Sequence, residues 1–303
     1  MQAFWMILSA FVFSTMAVCV KYASVHFNSA ELVFYRGVIG VVFMAIYARL
    51  HGVSLATRVP AMHAWRSVVG VVALASWFYA IAHLPLATAM TLNYMSSVWI
   101  AVFLVGGSLM FAKAGEKIPS QGPLVLAIMA SFAGVVMLLR PAIGQNQAFA
   151  GLIGLLSGLG AAFAYMQVMA IARLGEPEAR TVFYFAVGTV VAGALGMGVV
   201  GTSPWTPEQL RHALWLPPIG ILASLGQLCM TKAYSMSSNH GGTLMVANLQ
   251  YSGIVCSAVF SLVLFGDQIP LLGWAGMGLI IVSAVAATVL RARAAPDAPA
   301  EEH

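Results

Sequence analysis

The stretch GEKIP at residues 115–119 recurs as GDQIP at residues 266–270, 151 positions further along the chain. Two upstream blocks match at nearly the same spacing, so the agreement is collinear over most of the sequence. These blocks pair Tyr79 with Tyr234, Asn93 with Asn248 and Ser97 with Ser252 at an offset of 155, and residues 33–35 with residues 182–184 at an offset of 149. The match predicts that the second half of the chain repeats the architecture of the first.

The composition places the chain in a membrane. Of its 303 residues, 61% are hydrophobic and 8% are charged, which is more apolar surface than a soluble fold can bury. The apolar stretches run for about 20 residues, the length at which a helix rising about 1.5 Å per residue crosses a hydrocarbon core of about 30 Å. Helices are expected, because a segment in lipid has to satisfy its backbone hydrogen bonds internally.

Charges, prolines and polar clusters divide the sequence into ten predicted spans. They cover residues 3–23, 31–50, 64–83, 87–111, 121–140, 149–173, 179–200, 214–236, 241–265 and 270–291. The sequence therefore predicts an all-α integral membrane protein with a single transmembrane domain over residues 1–293 and a cytoplasmic tail over 294–303. The first repeat covers about 3–140 and the second about 149–291.

The basic residues predict the orientation. If both termini are cytoplasmic, ten of the fourteen basic residues lie on the cytoplasmic side, as the positive-inside rule favours. The ten are Arg49, Arg58, Arg66, Lys113, Lys117, Arg173, Arg180, Lys232, Arg291 and Arg293, and the outer four are Lys21, Arg36, Arg140 and Arg211. The net charge of +5 follows from this bias, and no clustered basic patch suggests a nucleic-acid partner.

Each predicted repeat contains five helices, and an odd number inverts the second copy relative to the first. GEKIP is then cytoplasmic and GDQIP lies on the outer side. Inverted repeats are typical of secondary transporters, because exchanging the conformations of the two halves turns an outward-open cavity into an inward-open one. We therefore expect a substrate site near the midplane of the membrane, between the repeats.

Polar residues deep in the spans are the candidates for that site. Asn93 and Ser97 lie on one face of the predicted fourth helix, and Asn248 and Ser252 repeat this pattern on the ninth. These side chains suit hydrogen bonding to a substrate. The alternative is that they join neighbouring helices by hydrogen bonds.

Four further polar residues extend the candidate site. Tyr79 and His83 lie one turn apart on the third predicted helix, and Gln227 and Lys232 lie on the eighth. Lys232 suits a substrate carboxylate, whereas snorkelling to the cytoplasmic interface is the alternative. His83 is either a residue that ends a helix or a proton carrier.

The sequence contains no pattern typical of an enzyme. The motifs HExxH and GxSxG and paired aspartates are absent, and His and carboxylates do not cluster at metal-ligand spacing. We therefore expect no catalytic residue, no metal and no cofactor. All nine acidic residues lie in connections, at span ends or in the tail, whereas ion-coupled transporters usually place a carboxylate within the membrane. A facilitator is expected, with a proton-coupled antiporter as the alternative.

Several residues also follow a family pattern. They are Tyr79-Ala80, Gly115-Glu116, Gln121 and Gly134 in the first copy, and Ala233-Tyr234 and Gly266-Asp267 in the second. In this pattern the chain resembles the EamA-type families of the drug/metabolite transporter superfamily. Arg36 matches an Arg often found early in the second helix of these families, and its pairing with Glu31 or with a lipid headgroup is the alternative.

The resemblance implies a multi-pass protein of the bacterial inner membrane that exports small molecules. Within the superfamily the chain is most similar to bacterial amino-acid exporters, which implies neutral, especially aromatic and hydrophobic, amino acids as substrates. An exporter of another small metabolite or drug is the alternative. The expected partners are the substrate and membrane lipid, and the expected assembly is a monomer.

Cysteine labelling tests this topology. After replacement of Cys19, Cys229 and Cys256 by Ala, single Glu116→Cys and Asp267→Cys variants are treated with a membrane-impermeant maleimide in right-side-out and inverted vesicles. We expect the two variants to be labelled from opposite sides, because five helices separate equivalent positions. Labelling of both from the same side would contradict the inverted repeat.

Overall fold

The structure, a computed structural model, describes residues 1–100, 102–103, 126, 129–138, 147–204, 206–236, 246 and 249–294. For residues 284, 287, 288 and 290–294 it describes the backbone alone. The described residues form helices and turns, and no strand occurs among them. GEKIP and Asn248 lie outside these ranges, so the predictions that concern them stay predictions.

Long apolar helices make up the described part of the chain. They are α1 (Gln2–Ala23), α2 (Ser29–Leu50), α3 (Pro60–His83), α4 (Leu86–Tyr94), α5 (Met129–Leu138), α6 (Ala148–Arg173), α7 (Glu178–Val200), α8 (Leu216–Ser235), α9 (Ser252–Phe265) and α10 (Leu271–Ala294). Within the described ranges, six helical segments are long and apolar enough to cross a membrane: α1, α2, α3, α6, α7 and the segment Pro207–Ser235 that includes α8. The structure is thus an all-helical membrane fold.

The helix bounds agree closely with the predicted spans where local sequence decides them. The predicted ends at residues 23, 50, 83, 173 and 200 coincide with the ends of α1, α2, α3, α6 and α7. The start of α3 was predicted four residues too late, because the helix begins at Pro60. Proline suits the first helical position, where no backbone N–H is needed and its fixed φ is already helical.

Two predicted spans are interrupted. The fourth leaves regular helix at Met95, after α4, and the ninth has turn geometry at Gln250 and Tyr251, just before α9. Residues 96–100 continue as helix after Met95. Hydropathy averaged over a whole span does not register such breaks, because each span is apolar on average although polar residues flank both breaks.

Polar groups at one end of the bundle are satisfied by neighbouring segments. Glu31 in the first turn of α2 forms a capping box with Asn28, in which Asn28 N donates to Glu31 Oε2 at 2.8 Å. The same carboxylate accepts hydrogen bonds from Ser203 N and Ser203 Oγ at 2.8 and 2.7 Å. Asp267 accepts from Ser261 Oγ at 2.6 Å and from Leu86 N at 3.3 Å. These bonds tie α2 and α9 to the connections beside them.

A buried carboxylate organises the opposite end. Glu176, between α6 and α7, lies 2.9 Å from Arg180 Nη1 and 3.2 Å from His63 Nε2. Burial raises the pKa of Glu176, but hydrogen bonds from Arg180, His63 and Thr57 outweigh it, so this pKa lies below its ordinary value. Arg180 also donates to Ser54 O at 2.8 and 3.0 Å. The α2–α3 connection is thereby held against the α6–α7 connection.

Glycines allow the central helices to approach each other closely. The most extensive packing joins α2 with α7, α3 with α6 and α1 with α8. A Cβ on Gly37 of α2 would lie 2.7 Å from Val190 N, and one on Gly193 of α7 would lie 2.5 Å from Phe34 N. Small residues are the usual means of close helix packing in membranes, where the hydrophobic effect does not drive helices together.

Alanine substitution tests the close contact of α2 with α7. We expect Gly193→Ala to lower the stability of the purified protein by about 1–3 kcal/mol, because the new methyl group overpacks the contact with Phe34. Gly198→Ala is the matched control on the same helix, since a Cβ there meets nothing within 4 Å. Thermal unfolding in detergent, followed by tryptophan fluorescence, measures both. Equal effects of the two changes would show that the packing of α2 on α7 is not limiting.

Candidate functional site

A small cavity lies inside the bundle, between helices from both halves of the chain. Its volume is about 50 Å³, which is room for a few water molecules. The lining residues come from α1, α2, α3, α4, α6, α7 and α8. The polar and aromatic members are Phe13, Arg36, Arg66, Trp77, Asn93, Tyr94, Tyr165, Phe185 and Gln227.

Arg36 enters this cavity from α2. Its side chain is 5% exposed, so the guanidinium cannot reach a lipid headgroup. The pairing with Glu31 is also wrong for the described residues, because that carboxylate bonds Asn28 and Ser203 instead. The guanidinium carbon lies 5.2 Å from the centroid of the Phe185 ring, and Arg36 Nε has no hydrogen-bond partner.

Arg66 enters from α3, which corrects its assignment to a cytoplasmic connection. It is 2% exposed, and its guanidinium carbon lies 4.0 Å from the centroid of the same Phe185 ring. Arg66 Nη2 donates to Gln227 Oε1 at 3.4 Å, while Nε and Nη1 have no partner. Gly70, one turn further along α3, makes room for this side chain, because a Cβ there would collide with Arg66 Nη1. The side chain therefore turns into the bundle and away from the near end of α3.

The two guanidinium groups have no counter-ion in the part of the chain that the structure describes. Among the described residues, the only ion pairs join Glu176 to His63 and to Arg180, and neither Arg36 nor Arg66 takes part. Burying an ion costs several kcal/mol even after relaxation, whereas a desolvated cation over an aromatic ring gains about 2 kcal/mol. The contacts with Phe185 therefore offset part of the cost, and the remaining N–H groups can bind a ligand with acceptor oxygens.

Asn93 also lines the cavity, as a site residue on the fourth helix would. It is 6% exposed, and its Nδ2 donates to Ser157 Oγ of α6 at 3.2 Å. Asn93 thus joins two helices and also lines the cavity, and its contact with a substrate stays a prediction. Gln227 of α8, in the second half of the chain, lines the same cavity.

Tyr79 and His83 lie away from the central cavity. The ring of His83 is exposed and stacks on that of Tyr79, with centroids 4.1 Å apart. His83 Nδ1 bonds Tyr79 O at 2.8 Å, a geometry that ends α3. Tyr79 lines a separate, apolar crevice of about 420 Å³ between α2, α3, α6 and α7, beside Phe149 and Ile153.

Lys232, Ser97 and Ser252 are also outside the lining of the cavity. Lys232 is exposed near the end of α8, where its Nζ lies 4.3 Å from the centroid of the Trp5 ring. Ser97 is buried beyond α4, and Ser252 Oγ donates to Leu249 O at 2.7 Å at the start of α9. Asn248 is not among the described residues.

Sequence reasoning missed the pair of arginines as a unit. Arg66 was counted with the cytoplasmic charges because it lies only six residues into α3. One available signal was Gly70, one turn from Arg66. A second was the shortage of acidic residues near the two arginines on their own helices, where Glu31 is the exception. Phe185 carries no signal by itself, because a phenylalanine in an apolar helix is ordinary packing.

No metal site is visible in the part of the chain that the structure describes. No group of three or more His, Cys, Asp or Glu residues lies there in positions to hold a metal ion. Cys19, Cys229 and Cys256 are free thiols.

Comparison with known proteins identifies the family. Residues 1–140 match the EamA-like transporter family. The pseudopaline exporter CntI of Pseudomonas aeruginosa is 31% identical over 92% of this chain and 93% of its own length. An uncharacterized transporter of Helicobacter pylori is 26% identical over 91% of both chains, and a riboflavin transporter of Rhizobium johnstonii is 27% identical over 77% of this chain and 74% of its own.

A solved crystal structure has the same fold, with a TM-score of 0.63 and 19% identity over 96% of this chain and 97% of that chain. The pseudopaline exporter exceeds 30% identity over nearly the full length of both proteins. This multi-pass membrane protein therefore belongs to the EamA-like transporter family and is a transporter of small molecules.

Proposed function

We propose that the protein is a secondary transporter that exports a small metabolite across the bacterial inner membrane by alternating access. The observation that carries this proposal is a cavity inside the bundle to which both halves of the chain contribute polar side chains, with Arg36, Arg66 and Asn93 from the first half and Tyr165 and Gln227 from the second. Membership of a transporter family supports the transport activity, and the cavity is the proposed binding place of the substrate.

The packing of the helices supports two inverted five-helix repeats. In two such repeats α1 corresponds to α6, α2 to α7 and α3 to α8. The contact of α3 with α6 then corresponds to the contact of α8 with α1, and the contact of α2 with α7 corresponds to itself. These are the most extensively packed pairs among the described helix contacts. The helix breaks at Met95 and Gln250 also correspond, at the offset of 155 that aligns Asn93 with Asn248. Broken helices at equivalent positions are common at the substrate sites of transporters.

The small size of the cavity fits one state of such a cycle. Its volume of about 50 Å³ is room for a few water molecules, so we expect the cavity to widen when a substrate enters. We propose both termini on the cytoplasmic side, residues 1–293 as one transmembrane domain with a cytoplasmic tail at 294–303, and a monomer as the working unit. The positive-inside bias of the sequence supports this orientation.

Neutral amino acids, especially aromatic and hydrophobic ones, are the first substrate class to test. Trp77, Phe185 and Tyr165 line the cavity and offer ring faces to an aromatic side chain. Another small metabolite is the second candidate, since relatives of this chain carry the names of a pseudopaline exporter and a riboflavin transporter. Counterflow in proteoliposomes with the twenty amino acids, riboflavin and a panel of organic acids decides between the two.

Asn93 tests the role of the cavity in transport. We expect Asn93→Leu to reduce counterflow by roughly tenfold, because it removes an amide from the lining while keeping a similar volume. Expression in the membrane should stay within about two-fold of the unmodified protein, since side-chain hydrogen bonds between membrane helices average about 0.6 kcal/mol.

Ser157→Ala is the matched control, because it removes the same hydrogen bond from the α6 side. Ser157 itself is not part of the cavity lining. Unchanged transport in Ser157→Ala, next to a loss in Asn93→Leu, supports substrate contact by Asn93. Equal losses in both variants would mean that the hydrogen bond between α4 and α6 is what matters.

Imposed ion gradients test the energetics. We expect downhill flux without obligatory coupling to protons or sodium, because the described acidic residues lie at the ends of the bundle, as Glu31, Glu176 and Asp267 do. Net flux in proteoliposomes is measured with and without a pH or sodium gradient. Uphill accumulation driven by either gradient would overturn the expectation, and its loss in His83→Gln would assign the coupling to that residue.

A further inference from the structure

Two cations share one aromatic ring inside the bundle. The guanidinium carbons of Arg36 and Arg66 lie 5.2 and 4.0 Å from the centroid of Phe185, so they are no farther apart than the sum of these distances. Both side chains are at least nine-tenths buried, and three of their nitrogen atoms lack any hydrogen-bond partner. Like charges at this separation repel each other, and a low-dielectric interior strengthens the repulsion.

The described acidic side chains are engaged elsewhere or point to solvent. Glu31 and Asp267 are hydrogen-bonded at one end of the bundle, and Glu176 is paired with Arg180 and His63 at the other. Glu178 accepts from Ser235 Oγ at 2.8 Å, and Glu208 is exposed. No described carboxylate therefore neutralises the two arginines.

The remaining polar groups of the cavity are neutral. They are the amides of Asn93 and Gln227, the hydroxyls of Tyr94 and Tyr165 and the indole N–H of Trp77. Gln227 presents its oxygen to Arg66. The lining therefore offers an excess of hydrogen-bond donors and a charge of two arginines to anything that enters it.

We propose that the substrate of this transporter is an organic anion with at least two carboxylate groups, which bind to Arg36 and Arg66. The assignment rests on the proposed transport function and favours its second candidate, another small metabolite, over a neutral amino acid. Planar guanidinium groups bind carboxylates by paired, charge-assisted hydrogen bonds. A dicarboxylate supplies one such partner to each arginine and neutralises both charges, so that the cavity can close around the substrate.

A neutral amino acid fits this lining less well. Its carboxylate can pair with one arginine, but its ammonium group would then be buried beside a second cation without a carboxylate partner among the described residues. An unpaired buried charge is disfavoured more strongly than an unmade neutral hydrogen bond. The aromatic residues of the cavity suit the carbon skeleton of either ligand.

Ligand-induced stabilisation of the purified protein tests the assignment without requiring transport. The probes are citrate, succinate, phenylalanine and glycerol 3-phosphate in a chloride buffer of constant ionic strength, because bulk salt screens surface charges. We expect citrate or succinate to raise the unfolding temperature by at least about 2 °C at millimolar concentration, because a ligand that binds only the folded state stabilises it. Phenylalanine and glycerol 3-phosphate should have a smaller effect.

Charge-neutral variants locate the binding. Arg36→Gln and Arg66→Gln should each raise the half-saturating concentration of the dicarboxylate by roughly tenfold or more, and Arg66→Lys should recover only part of the loss. Arg211→Gln, at an exposed position outside the cavity, is the matched control and should leave the response unchanged. Without ligand, Arg36→Gln and Arg66→Gln should unfold no earlier than the unmodified protein, because each removes an unpaired buried charge.

The outcomes separate this inference from the transport function. Stabilisation by phenylalanine alone would overturn the assignment, and so would a dicarboxylate response that persists in both Arg→Gln variants. In either case, counterflow of another metabolite would still support the proposed transport function. A response to glycerol 3-phosphate alone would replace carboxylates by phosphate and also overturn it. Early unfolding of both variants without ligand would indicate that the arginines are structural. Dicarboxylate binding without counterflow of any probe would support the site and count against transport.

Discussion

The absence of hydrogen-bonding partners in the hydrocarbon core is the constraint on which the rest of this structure depends. It requires each span to be helical and leaves helix association to close packing. At the crossing of α2 with α7, Gly37 and Gly193 bring the two backbones into contact. Arg36 is the residue before Gly37, so the close crossing also forces its guanidinium against Phe185, one turn from Thr189 on α7. The glycine contact thus positions the charge.

The same constraint separates the charges of the protein into two kinds. At the ends of the bundle, Glu31 and Glu176 are fully provided with donors from adjacent segments. In the interior, Arg36 and Arg66 keep free N–H groups beside a cavity. A stable end needs every partner to come from the chain, whereas a binding site needs some partners to come from the ligand. The unsatisfied groups lie in the cavity that we propose as the substrate site.

The proposed repeat is nearly symmetric in its backbone and asymmetric in its charge. The offset of 149 that aligns residues 33–35 with 182–184 also aligns Arg36 with Phe185. Because α2 and α7 pack on each other, these two equivalent positions meet, and a cation faces an aromatic ring. Arg66 adds a second charge from the first half alone. The two proposed repeats would thereby hold an unsymmetric charge distribution, as the proposed dicarboxylate site needs.

The sequence by itself determined that the protein lies in a membrane and where most helices end. The ends of α1, α2, α3, α6 and α7 were predicted at the correct residues, because hydropathy, charge and the positions of Pro and Gly act locally. Asn93 was predicted from the repeat and lines the cavity. Only the tertiary structure decided that Arg66 turns inward and that Tyr79 and His83 face away. The rotation of each helix about its axis is set by contacts between distant segments, such as that of Arg66 with Gln227, 161 residues away, and these contacts leave no local pattern in the sequence.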